Sequence, residues 1–120
     1  MIYNMSYINR KSFEDRKKET TEILTKYPDR IPCILEKSSF NTNELPDIDK
    51  SKFLVPGDLR MSQFLFVIRK RIDISPEQAI FIFCNGQLLL NQSELSEIYA
   101  RHKSDDNYLY LQYSGESTFG

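Results

Sequence analysis

The sequence lacks the features that mark membrane-spanning, secreted or disulfide-stabilised proteins. No apolar run among the 120 residues approaches the roughly 20 residues that a membrane-spanning helix needs. The first residues also lack a basic region followed by an apolar one, so they do not resemble a signal peptide. The two cysteines, Cys33 and Cys84, lie in apolar runs without the spacing of metal ligands. These absences predict a cytoplasmic protein without a disulfide framework, metal or cofactor.

The sequence also has little net charge, and its basic residues are concentrated in one segment. The formal net charge is -1, which argues against a dedicated nucleic-acid-binding protein. Between residues 50 and 71 only Asp58 opposes the basic residues, which are Lys50, Lys52, Arg60, Arg69, Lys70 and Arg71. Such a segment favours an acidic protein partner or an anionic surface, but it is also typical of an ordinary solvated face.

The hydrophobic patterns predict one α+β domain. Forty per cent of the residues are apolar and 12% are aromatic, enough for one core in a chain of this length. Helices are predicted over 13–26 and 61–72 and from a cap at Ser93 to His102, and strands over 31–36, 52–56, 79–84, 87–90 and 108–113. Ser12 is typical of a helix cap and Asn85-Gly86 of a hairpin turn. This order predicts a ubiquitin-like β-grasp fold: a mixed sheet of four to five strands, preceded by a helical extension.

Three regions follow from this pattern. Residues 1–27 are predicted to form the N-terminal helical extension, with few apolar positions on its helix. Residues 28–113 are predicted to form the ubiquitin-like domain. Residues 114–120 are predicted to form a flexible tail of small residues that ends in glycine.

Several short motifs resemble those of the autophagy ubiquitin-like modifiers, the family of the GABA-receptor-associated protein and of microtubule-associated light chain three. The motifs occur in the family's order from Phe13 onward. They are Lys26-Tyr27-Pro28-Asp29-Arg30-Ile31-Pro32, Glu36-Lys37, Lys52-Phe53-Leu54-Val55-Pro56, Gln63-Phe64, Val67-Ile68-Arg69-Lys70-Arg71-Ile72 and Tyr113-Ser114-Gly115-Glu116-Ser117-Thr118-Phe119-Gly120.

The resemblance implies a protein tag rather than an enzyme. It implies that a processing cysteine protease exposes Gly120, and that activating and conjugating enzymes join this glycine to phosphatidylethanolamine. It further implies recruitment of cargo receptors through aromatic-x-x-aliphatic peptides. The protein is then expected to be a cytoplasmic monomer that moves to the autophagosome or a related vesicle membrane when lipidated.

The resemblance also implies which residues bind the peptide. The pocket for the aromatic side chain corresponds to Glu19, Ile23, Pro32, Ile34, Lys52, Leu54 and Tyr108. The pocket for the aliphatic side chain corresponds to Phe53, Val55, Pro56, Leu59, Phe64, Val67 and Arg71, and Arg30 and Lys50 belong to a basic rim. Because strand side chains alternate, one strand at 52–55 serves both pockets. We expect the stripe of Phe64, Val67 and Arg71 to be free for this role, because Met61, Leu65, Ile68 and Ile72 form the core face of their helix.

Two other functions remain open at the level of the sequence. Cys33, His102 and Asp105 are the residue types of a cysteine hydrolase, although a cysteine in an apolar strand is usually a small core residue. A β-grasp adaptor that binds proteins or microtubules without being conjugated is the second alternative. The tail ending in glycine distinguishes a conjugated modifier from this adaptor, because an unconjugated adaptor has no use for such a tail.

Overall fold

The computed structural model describes residues 6–38 and 45–116, and within these ranges it contains four helices and five strands. The helices are α1 (Tyr7–Arg10), α2 (Phe13–Lys26), α3 (Met61–Arg71) and α4 (Leu95–His102). The strands are β1 (Arg30–Lys37), β2 (Lys52–Pro56), β3 (Phe81–Cys84), β4 (Gln87–Leu88) and β5 (Leu109–Ser114). No helix in the described ranges is long and apolar enough to cross a bilayer.

The five strands form one mixed sheet in the order β2-β1-β5-β3-β4. Strands β1 and β5 are parallel, and the other three pairs are antiparallel. This arrangement confirms the predicted α+β class and mixed sheet. It places β2 at one edge, so one side of that strand has no partner strand among the described residues.

The main core lies between the sheet and α3. Met61, Phe64, Ile68 and Ile72 are each at most 3% exposed, whereas Leu65 is only half-buried. The prediction that Phe64 lies outside the core face is therefore wrong. Residues 61, 64 and 68 are spaced by three and four positions, so Phe64 lies at the centre of the buried stripe and Leu65 at its side.

The opposite face of the sheet carries α1 and α2, which are attached largely by polar contacts. The Thr20 hydroxyl donates to the Asp106 carbonyl at 2.6 Å, and the Arg16 guanidinium pairs with the buried Asp106 carboxylate. A small hydrophobic cluster of Tyr7, Ile34, Tyr108 and Tyr110 completes this layer. Buried hydrogen bonds thus help to attach α2 to the sheet, because its apolar residues are few. Hydrophobic periodicity in the sequence does not reveal such bonds.

Local signals at the ends of elements were partly right. The Ser12 hydroxyl accepts from the Asp15 N–H at 3.1 Å, as predicted for a cap. Asn85 and Gly86 have φ of 51° and 77°, which suits the predicted tight hairpin turn. The predicted cap at Ser93 is wrong, because α4 begins one residue later with Glu94 as its cap and the Ser93 carbonyl instead accepts from the Met61 N–H.

Three further elements differ from the prediction. Strand β3 begins at Phe81, two residues after the start of the predicted strand over 79–84. The return strand β4 covers only Gln87–Leu88 of the predicted 87–90, although the Leu89 N–H still donates to the Ile82 carbonyl of β3. The chain then turns at residues 91–92, where the Leu90 carbonyl accepts from the Ser93 N–H. Helix α1 was not predicted, because four residues are too few to show a helical period.

Candidate functional site

The candidate site is the open edge of β2. Hydrogen bonds from the Leu35 N–H to the Ser51 carbonyl and from the Gly57 N–H to the Asp29 carbonyl flank the β1–β2 ladder. These bonds show that residues 51 and 57 form hydrogen-bonded pairs with β1. Such pairs alternate with non-hydrogen-bonded pairs in an antiparallel ladder, so residues 53 and 55 also bond to β1. The N–H and C=O groups of Lys52 and Leu54, which lie between them, therefore point away from β1. This edge therefore offers backbone donors and acceptors to an added extended chain.

The residues predicted for the aromatic pocket come together on the face that carries α1 and α2. Lys52 and Leu54 of β2 pair with Ile34 and Pro32 of β1. The complete set consists of buried Pro32, Ile34 and Tyr108, half-buried Glu19, Ile23 and Leu54, and exposed Lys52.

The Glu19 carboxylate is the electrostatic centre of this face. It accepts hydrogen bonds from the Tyr7 hydroxyl, from Lys11 Nζ and, at 2.8 Å, from the Tyr108 hydroxyl, and Lys52 Nζ lies 3.6 Å away. Partial burial raises the pKa of Glu19, but the bonds from Lys11, Tyr7 and Tyr108 and the charge of Lys52 outweigh it and lower the pKa to about 2. Glu19 is therefore a fully ionised, heavily hydrogen-bonded group.

Tyr7 and Lys11 belong to this face, although the sequence did not indicate them. Tyr7 is 2% exposed, and its ring contacts Tyr108 edge-on with 5.5 Å between centroids. Lys11 reaches Glu19 from the segment between α1 and α2. No sequence signal identifies either contact, because their partners are distant along the chain and α1 is too short to have a buried stripe.

The β2 residues predicted for the aliphatic pocket, Phe53 and Val55, lie on the other face, towards α3. The ring of Phe53 contacts the ring of Phe64 edge-on with 5.4 Å between centroids. Val67 is 42% exposed, so it is the accessible apolar member on α3. The remaining members are buried Val55, half-buried Leu59 and exposed Pro56 and Arg71. Phe64 is part of the core and reaches this pocket only through its contact with Phe53.

The two residues predicted for the basic rim lie at opposite ends of β2. Arg30 is opposite Pro56 in the β1–β2 register, whereas Lys50 precedes the strand and its Nζ lies 5.4 Å from the centre of the Phe53 ring. Near Lys50, Arg71 Nη1 lies 3.8 Å from an Asp49 carboxylate oxygen. The basic groups of the site are therefore Lys50, Lys52 and Arg71 at one end and Arg30 at the other.

The geometry does not favour a cysteine hydrolase. Cys33 is fully buried in β1, and burial raises the pKa of its thiol, so the thiolate needed for attack is disfavoured. Burial also raises the pKa of Cys84 to about 11. Within residues 6–38 and 45–116, no group of three or more His, Cys, Asp and Glu side chains is arranged to hold a metal ion. Gly120 lies outside the described residues.

Comparisons with known proteins place the whole chain in a family. The family described as "Autophagy protein Atg8 ubiquitin like" matches residues 15–120. Autophagy-related protein 8 of Mycosarcoma maydis is 51% identical over 115 residues, which cover 96% of each chain. Autophagy-related protein 8 of Schizosaccharomyces pombe is 54% identical over 109 residues, which cover 91% of this chain and 88% of the relative.

Solved structures agree with these sequence matches. The crystal structure of Trypanosoma brucei ATG8 superposes with a TM-score of 0.87 at 36% identity and covers 98% of this chain and 100% of that one. Plasmodium falciparum Atg8, solved in complex with a Plasmodium falciparum Atg3 peptide, also has a TM-score of 0.87, at 34% identity and over 97% and 100% of the two chains. These matches confirm the resemblance found in the sequence motifs. The chain belongs to the Atg8 family of ubiquitin-like autophagy proteins.

Proposed function

We propose that this autophagy protein binds extended peptides of the form aromatic-x-x-aliphatic along the open edge of β2. The observation that carries the proposal is the position of this edge between two apolar faces. The outward backbone groups of Lys52 and Leu54 would pair with the peptide, and the side chains of β2 would contribute to a pocket on each face. Acidic residues before the aromatic position would meet Lys50, Lys52 and Arg71.

Calorimetric titration with an acidic-flanked Trp-x-x-Leu peptide tests this proposal. The expected dissociation constant is of the order of micromolar, because the contact is small and an extended peptide loses conformational freedom on binding. Leu54→Ala should weaken binding about tenfold or more, since it removes a side chain of the aromatic pocket. The matched control is Leu90→Ala, which truncates a leucine that is 61% exposed and lies beyond β4, at the other end of the sheet. Equal binding by the wild type and Leu54→Ala would place the site elsewhere.

We further propose that Gly120 is joined to phosphatidylethanolamine. The carboxyl group of Gly120 would be held as a thioester on a conjugating enzyme, and the amino group of the lipid would then displace the thiol and form an amide. The family membership and the Tyr113–Gly120 motif support this step, and the Atg3 peptide bound to the Plasmodium relative supports a conjugating enzyme as partner. The linkage would move the protein from the cytoplasm to an autophagosome or related vesicle membrane.

Reconstitution with the family's activating and conjugating enzymes and phosphatidylethanolamine vesicles tests conjugation. We expect a product whose mass exceeds that of the protein by one phospholipid less one water. The product should be absent for Gly120→Ala and should be cleaved by the processing protease. A matched Gly86→Ala variant should still be conjugated, although it strains the turn before β4. If the wild type stays unmodified while a known relative is lipidated, the unconjugated adaptor is the better description.

A further inference from the structure

The ring of Tyr7 lies among the residues assigned to the aromatic pocket. It contacts Tyr108 edge-on and packs in one buried cluster with Ile34. Lys52 Nζ lies 4.9 Å from the centre of the ring, within the range of a cation–π contact. The Tyr7 hydroxyl donates to Glu19. One side chain of this protein thus contacts groups from α2, β1, β2 and the residue before β5, as the aromatic residue of a bound peptide would.

The contacts of Tyr7 also engage Glu19, the acidic group of the pocket. A carboxylate has about four sites for hydrogen-bond donors. The Tyr7 and Tyr108 hydroxyls share Oε1, while Lys11 and Lys52 approach Oε2. A donor on an incoming aromatic side chain, such as an indole N–H, would therefore have to displace one of these groups.

Helix α1 is held on the sheet mainly through Tyr7. Helix α1 has only four residues, below the length at which a helix is stable by itself. Ile8, Asn9 and Arg10 are all exposed, so Tyr7 is the buried residue of α1. The Tyr7 N–H donates to Glu36 Oε2 at 2.9 Å, which adds one bond between the start of α1 and β1.

We propose that Tyr7 occupies the aromatic pocket as an internal ligand and that a peptide binds only after α1 has swung out. This inference rests on the proposed peptide-binding function and adds an autoinhibitory contact to it. We call the form with the Tyr7 ring in the pocket closed and the form with α1 swung out open. Two rings cannot fill one pocket, so only open molecules bind peptide, and the apparent affinity falls in proportion to the fraction of molecules that are open. If the closed form outnumbers the open form by about ten to one, removal of the Tyr7 ring tightens the dissociation constant about tenfold.

Calorimetry of full-length variants with the acidic-flanked Trp-x-x-Leu peptide tests the inference. Tyr7→Ala should bind about tenfold more tightly than the wild type. Glu36→Ala, which removes the acceptor of the Tyr7 N–H without changing a residue assigned to either pocket, should bind about two- to threefold more tightly. The matched control Ile8→Ala truncates a side chain of α1 that is 46% exposed and should leave the affinity unchanged.

The outcomes separate this inference from the peptide-binding proposal. Equal or weaker binding by a folded Tyr7→Ala variant overturns the internal ligand but leaves peptide binding intact, and it would make Tyr7 a wall of the pocket. If the peptide binds neither the wild type nor Tyr7→Ala, both the internal ligand and the peptide-binding proposal are overturned. If Tyr7→Ala does not fold, hydrogen exchange of the wild type decides: saturating peptide should speed exchange of the Tyr7 amide, and unchanged protection overturns the inference.

Discussion

The carboxylate of Glu19 gathers most of the electrostatic interactions of the candidate site into one group. Its donors come from the N-terminal segment, from β2 and from Tyr108, the residue before β5. Each donor favours the ionised form, which is why the pKa falls despite partial burial. Protonation of this one carboxyl group would therefore weaken several contacts that hold α1 and α2 on the sheet.

We predict that Glu19 makes the protein's stability depend on acid pH. A carboxyl group titrates near pH 4.3 in an unfolded chain, and at about 2 in this fold. The unfolded state therefore binds more protons between these values, and the stabilisation present above about pH 5 is lost as the pH falls towards 2. The free energy of unfolding, measured in urea at pH 7 and pH 3, should fall less for Glu19→Gln than for the wild type.

Glu22→Gln is the matched control, because Glu22 is exposed on the same helix one turn later. It should keep the pH dependence of the wild type. An identical pH dependence in Glu19→Gln and the wild type would contradict the role assigned to Glu19.

At the scale of elements, α2 shows how a polar helix is fixed to a sheet. Its apolar residues are few, and Phe13 is 44% exposed. Thr20 and Asp106 are instead fully buried and hydrogen-bonded to each other across 86 positions of sequence. A buried donor or acceptor without a partner destabilises the folded state by more than a formed hydrogen bond stabilises it. Other positions of α2 would leave Thr20 and Asp106 unpaired, so this contact specifies where α2 packs.

We predict that Thr20→Val destabilises the protein by about 1–3 kcal/mol, because it leaves the Asp106 carbonyl without its donor. Thr21→Val is the matched control, since Thr21 is exposed and its hydroxyl donates only to the Lys17 carbonyl of its own helix. Thr21→Val should lower the free energy of unfolding by about 0.5 kcal/mol or less. Chemical denaturation measures both values, and equal losses would contradict a specific role for the buried bond.

At the scale of the whole molecule, the core and the N-terminal segment are packed on opposite faces of one sheet. The main cluster of buried residues extends from Ile31 to Tyr113 and contains none from α1. The cluster that includes Tyr7 is smaller and lies on the α2 side. We therefore expect the sheet and α3 to fold without the first residues.

Deletion of residues 1–10 is expected to leave a cooperatively folded domain. The melting temperature should fall by a few degrees, because the buried Tyr7 contacts are lost while the main core is unchanged. Differential scanning calorimetry measures both the midpoint and the cooperativity. A broad, non-cooperative transition would show that the N-terminal segment belongs to the core.

The sequence alone was sufficient for the fold class and for the two faces of β2, because both depend on local patterns. Alternation along 52–55 assigns Phe53 and Val55 to one face and Lys52 and Leu54 to the other, and the structure keeps this division. The stripe on α3 was assigned less well, since positions 64 and 65 lie three and four residues after Met61 and both fit a helical period. Only the packed sheet determines which of them is buried.

The order of the elements, the hairpin at Asn85-Gly86 and the motifs that identify the family are all visible in the sequence. The partners that meet across the chain are visible only in the folded protein. The contacts of Tyr7 with Glu19 and of Thr20 with Asp106 join segments 12 and 86 positions apart. Periodicity reports which face of an element is apolar, but it cannot report which distant polar group reaches that face, because this depends on how the whole chain packs.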